Sequence, residues 1–130
     1  MATVIYGFKQ SGQHIADFTY GVKLLTNSET GAIAAADMYG QIHRVTGAYT
    51  LTLPAGAIGM NATFRATTAS TFSIKAGESD NFIMLGVALD DADKITSVGN
   101  AGDTVSIYWD DTVSSWIADS MNCLFTDGGA

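Results

Sequence analysis

The chain has 130 residues, of which 47% are hydrophobic and only 15% charged, and 13 acidic against 6 basic side chains give a net charge of −7. Lys9, Lys23, Arg44, Arg65, Lys75 and Lys94 are scattered singly, which speaks against nucleic-acid and anionic-membrane partners, since both are held by clustered cations. The length fits one domain with its own core, and the lone Cys123 excludes a disulfide within one copy.

The charged fraction is well below the roughly 25% of an average soluble protein. With so little polar material, part of the surface is expected to be hidden in an assembly, and the mean hydropathy of +0.18 agrees. The opening MATVIYGFKQ lacks the basic start and long apolar run of a secretion signal. AIAAA and IMLGVAL are too short to span a bilayer. The reading is a soluble protein made in the cytoplasm.

In chain order, residues 1–20 read as an N-terminal arm or edge strand, with TVIYGF as a short strand and KQSGQH as a loop. GVKLLT, from Gly21 to Thr26, is the next strand, ended by NSET. AIAAADMYG, from Ala32 to Gly40, has the best helix formers and predicts one or two turns stopped by Gly40. QIHRVT, from Gln41 to Thr46, predicts a strand with Ile42, Arg44 and Thr46 on one face and Gln41, His43 and Val45 on the other.

YTLTLPAGAIGMNATFRA, from Tyr49 to Ala66, is the clearest signal. Tyr49, Leu51 and Leu53 alternate with threonines, and Met60, Ala62, Phe64 and Ala66 alternate with polar residues. Such alternation marks half-buried strands, and PAGAIG between them reads as a hairpin loop. TFSIKA, NFIMLG, TVSIYW and SWIA follow as strands, and DDTVSS between Trp109 and Trp116 predicts a hairpin connection. Short strands at this spacing predict an all-β fold: an antiparallel β-sandwich or jelly-roll-like domain over residues 21–130 behind the N-terminal arm.

Candidate chemistry is sparse. Asp90, Asp91 and Asp93 could offer oxygen ligands to calcium, but the EF-hand register is missing and a solvated turn is the better reading. Asp110 and Asp111 read as turn residues. His14 and His43 are isolated, and no HExxH, GxSxG, GxxxxGK[ST] or GxGxxG occurs. Cys123 reads as a small buried hydrophobe. The sequence therefore nominates no catalytic, cofactor or metal residue. Tyr6, Phe8, Phe18, Tyr20, Tyr108, Trp109 and Trp116 could form a sugar-stacking platform. Trp109 lies on the apolar face of its strand and reads as core, whereas Tyr108 points the other way, toward solvent.

The ordered string TLTLP (Thr50–Pro54), the small-residue loop Ala55–Gly59, Phe64 with Arg65, and the late GDTVSIYWDDTVSSWIA (Gly102–Ala118) resembles small β-rich virion proteins of tailed bacteriophages. The similarity runs from Leu24 to the end. It implies a non-enzymatic structural protein, a capsid decoration or cement protein on the head surface. Its implied partners are the major capsid protein and further copies of itself, commonly as a trimer. The alternative is a tail-fibre or spike module that binds a host receptor or carbohydrate. The arm up to Tyr20 has no counterpart in this pattern and is expected to make partner contacts.

Overall fold

A computed structural model of the chain describes residues 23–130. The expected arm, the strand TVIYGF, His14 and the aromatics Tyr6, Phe8, Phe18 and Tyr20 lie outside the described residues. The described residues form β1 (Leu24–Asn27), β2 (Gly31–Ala32), β3 (Tyr39–Val45), β4 (Thr50–Thr52), β5 (Asn61–Ala66), β6 (Ser73–Lys75), β7 (Phe82–Met84), β8 (Val87–Ala88), β9 (Lys94–Thr96), β10 (Thr104–Asp110), β11 (Ser115–Met121) and β12 (Thr126–Gly129). One sheet runs β1-β3-β5-β10-β11-β7-β8 and the other β12-β9-β6-β4-β2. The fold is an all-β, sandwich-like domain.

The pairing is mixed rather than antiparallel, and the chain path explains it. From β1 to β6 the strands alternate between the two sheets. Each strand therefore returns to its sheet after crossing the other one, and arrives parallel to its predecessor. Thus β1, β3 and β5 pair in parallel, as do β2, β4 and β6. This half is a coil of three two-strand rungs. A parallel pair needs a long crossover, and here the crossover is a strand of the opposite sheet. Leu24 lies opposite Ile42 and Ile42 opposite Thr63, rung steps of 18 and 21 residues.

The stretch from Tyr49 to Ala66 is accordingly not a hairpin. β4 pairs with β2 and β6, whereas β5 pairs with β3 and β10 in the other sheet. The faces follow the alternation, with Leu51, Leu53, Met60, Ala62, Phe64 and Ala66 all buried. PAGAIG carries the chain between sheets. It is fastened by Gly56, whose backbone N–H donates to Asp80 Oδ2 at 2.9 Å. A Cβ on Gly56 would overlap the Trp109 ring, so only glycine lets the loop lie against that indole.

The second half is built mainly from local returns. β7 and β8 form a hairpin through Leu85 and Gly86, both left-handed at φ +50 and +85. β10 and β11 form the expected hairpin, with Trp109 opposite Trp116 and their rings edge to face at 5.4 Å. Thr112 N–H donates to Asp110 Oδ1 at 2.9 Å, which is the turn role expected for Asp110.

The core lies between the sheets. Leu51, Ile74 and Ile95 form one fully buried cross-strand row. His43, Phe64 and Val105 form another across β3, β5 and β10. The helix expected over Ala32–Gly40 shrinks to one 3₁₀ turn, Ala35–Asp37. Gly40 is not a helix stop. It sits in β3 at φ +88, where the register against β5 slips between Tyr39 and Gln41. That bulge swings Tyr39 onto the outer face.

Candidate functional site

The outer face of the seven-stranded sheet gathers the exposed aromatic residues. Tyr39 lies opposite Asn61, and Asn61 opposite Tyr108. The row therefore runs across three adjacent strands. Tyr39 is 51% exposed and Tyr108 49%, and a strand spacing of about 4.8 Å sets the two tyrosines roughly 10 Å apart. The loop before β5 extends the patch: Asn61 Nδ2 donates to the Gly59 carbonyl at 3.1 Å, and Ile58 beside it is 76% exposed. Farther along the face, Thr63 and Ser106 share a hydrogen bond at 2.8 Å. Arg44 donates to Thr26 Oγ1 at 2.8 Å, and Arg65 lies opposite Arg44 in the register.

This surface offers aromatic faces, an amide and hydroxyls. It can stack on or hydrogen-bond to a partner, but it sets no nucleophile beside a base. Tyr108 is exposed, as its place in the strand alternation implied. Tyr39 and Asn61 were missed. Reading Gly40 as a strand bulge instead of a helix stop would have found Tyr39.

The other sequence candidates stay apart. His43 is buried at 1% exposure and stacked on Phe64, with ring centroids 4.7 Å apart. Its Nε2 donates to the Asp37 carbonyl at 2.8 Å, so Nδ1 accepts from Asn27 Nδ2 at 3.0 Å. Burial lowers its pKa below the ordinary 6.5, against the opposing pull of the Asp37 carbonyl and charge. The imidazole thus works as a neutral clasp joining β1, the 3₁₀ turn and β5.

The Asp90–Asp93 segment is a turn, as expected, but Asp93 is buried rather than solvated and accepts from the Asp90 N–H at 3.3 Å. Among the described residues no three His, Cys, Asp or Glu side chains converge to hold a metal. Asp103, also buried, accepts from the backbone N–H groups of Val98, Gly99 and Asn100 at 2.9–3.1 Å and so fixes that loop. Cys123 is half-buried against the core, and burial, helped by the Asp103 carboxylate, pushes its thiol pKa up. That keeps the thiol protonated and a poor nucleophile. Trp116 is fully buried, and Trp109 is half-buried, packed against the core.

No helix among the described residues is long and apolar enough to cross a membrane. The sequence matches no known protein family, and no curated protein matches it.

Proposed function

We propose that the chain is a non-enzymatic virion structural protein of a tailed bacteriophage, a decoration or cement protein that bridges major capsid protein subunits on the head surface. The carrying observation is the exposed patch of Ile58, Tyr39, Asn61 and Tyr108. Exposed apolar patches rimmed by polar groups mark protein contacts, and interface centres favour aromatics over charges. Bridging acts by added adhesion: neighbouring capsomers can part only after the bridging contact is lost. An interface of about 1,600 Å² in total holds a stable complex. Repetition around an oligomer such as a trimer multiplies the effect through effective concentration.

The same row favours one rival reading, a tail-fibre or spike module that binds a host glycan, because two tyrosine faces with an amide between them suit a sugar ring. One experiment separates the two. Purified chain is mixed with emptied heads of a phage that carries it, and in parallel with host cells and their surface glycans. The decoration reading predicts saturable retention on heads, a rise in the temperature at which the heads break, and loss of both in Tyr39→Ala/Tyr108→Ala. Retention on cells or glycans, with none on heads, overturns it.

A further inference from the structure

The basic residues stand singly along the sequence, but the register of the coil brings two of them together. Arg44 on β3 lies opposite Arg65 on β5, 21 residues later. His43, Val45, Phe64 and Ala66 beside them are buried in the core, so both arginines stand exposed on the outer face of the sheet. Strands about 4.8 Å apart hold the two side chains next to each other, and like charges so placed repel. A nearby carboxylate would remove that repulsion, and the chain has 13 acidic side chains. Yet the only ion pair among the described residues joins Lys23 to Asp37.

The two guanidinium groups lean apart. Arg44 reaches toward β1, where its Nη2 donates to Oγ1 of Thr26, the residue opposite it, at 2.8 Å. Arg65 reaches toward the turn before β10, with its Nη2 lying 3.4 Å from the point that a Cβ on Gly102 would take. Thr104, opposite Arg65, and Asn122, which accepts from the Thr104 N–H at 2.8 Å, complete the row with uncharged groups. A guanidinium has five N–H donors in a fork that matches a carboxylate, so each arginine keeps donors for an anion between them. Arg65, Thr63 and Asn61 share the outer face of β5 at steps of two residues. Arg65 therefore stands about 13 Å from the Tyr39–Asn61–Tyr108 row, as a charged rim stands beside the aromatic centre of an interface.

We propose that Arg44 and Arg65 together clasp a carboxylate of the major capsid protein, a proposal that rests on the docking role given to this face above. Charge complementarity selects the occupant: two adjacent cations with no described carboxylate call for an acidic side chain. A chain of net charge −7 has no general attraction to an acidic surface. The clasp accordingly sets the orientation and register of docking, which is what charges at an interface chiefly provide.

The test measures retention of the purified chain on emptied heads from low to high salt, for the parent and for Arg44→Gln/Arg65→Gln. Retention of the parent should fall as salt rises, because salt screens the clasp. The double variant should be held roughly tenfold less tightly at low salt and lose most of the salt dependence, as for a rim charge. Its unfolding midpoint should be unchanged or raised, since a repulsion has been removed. Arg44→Lys/Arg65→Lys should restore only part of the retention, because an ammonium lacks the fork. A double variant held as tightly as the parent, with the same salt dependence, overturns the proposal and leaves the docking reading standing. A lowered unfolding midpoint with unchanged retention also overturns it, since the pair would then be neutralised within the chain. Retention of the parent on phosphate-bearing host glycans but not on heads, lost in the double variant, gives the pair to a phosphate and overturns it as well. Heads that never hold the parent overturn the docking reading itself, and the proposal with it.

Discussion

The two halves of the domain use the same kind of strand in different ways. From β1 to β6 the chain crosses between sheets at every step, and the strands of this set that pair with one another are parallel. In β7–β8 and β10–β11 it turns back at once, and the two strands of each hairpin are antiparallel, while β7 and β11 join the hairpins in parallel. Each rung of the coil depends on the rungs beside it, whereas each hairpin closes on itself. Damage in the coil should therefore spread, and damage at a hairpin tip should stay local.

The largest expected effect lies at the seam. Phe64 is fully buried on β5, which joins β3 of the coil to β10 of the hairpin half. Phe64→Ala should cost about 3–5 kcal/mol, read by denaturant titration as a lower midpoint. A cost confined to a fraction of a kcal/mol would mean that the halves are not stacked through this residue. Next comes the crossing loop. Gly56→Ala forces the added methyl into the Trp109 ring and should cost about 1–3 kcal/mol, together with a shift in tryptophan emission. The hairpin reading of that stretch, now corrected, would place no such demand on Gly56.

The His43 clasp gives a pH test. Its folded pKa lies below 6.5 because of burial. The unfolded chain therefore takes up a proton near pH 6.5 while the folded chain does not. Stability is fully present above that pH and is lost as the pH falls from 6.5 toward the folded pKa. The slope from this one group is at most about 1.4 kcal/mol per pH unit. Unfolding measured between pH 7.5 and pH 5 should show this component in the parent chain and lack it in His43→Gln. Equal slopes in the two proteins would remove the clasp from the account. The smallest effect is at a hairpin tip. Leu85 holds φ +50 in a two-residue turn before Gly86, where Asn-Gly is the favoured pair. Leu85→Asn should raise stability by about 1 kcal/mol, without altering exchange in the coil.

The same contrast explains what could be read from the residues. Alternation identified the buried faces of β4 and β5, because a strand's period is a local property. It did not identify their partners: Pro54 to Gly59 looks like a turn whether the chain returns to the same sheet or crosses to the other. The DDTVSS turn was legible because Asp110 bonds the backbone two residues on and a tryptophan flanks each side. β2 and β8 have two residues each, too few to carry any period. On the exposed face of the seven-stranded sheet, Tyr108 could be placed from its own strand. Tyr39 could not, since the bulge at Gly40 that turns it outward belongs to the pairing of β3 with β5. The burial of His43 was hidden for the same reason: its two hydrogen-bond partners, Asn27 and Asp37, come from other elements.

The central claim is that this domain exists to hold other proteins together on a phage head. It is tested most directly by counting copies of the chain in purified virions by quantitative mass spectrometry against the major capsid protein. The account predicts many copies per particle in a fixed ratio to the major capsid protein. A handful per particle, as at a tail tip, or none at all, would contradict it.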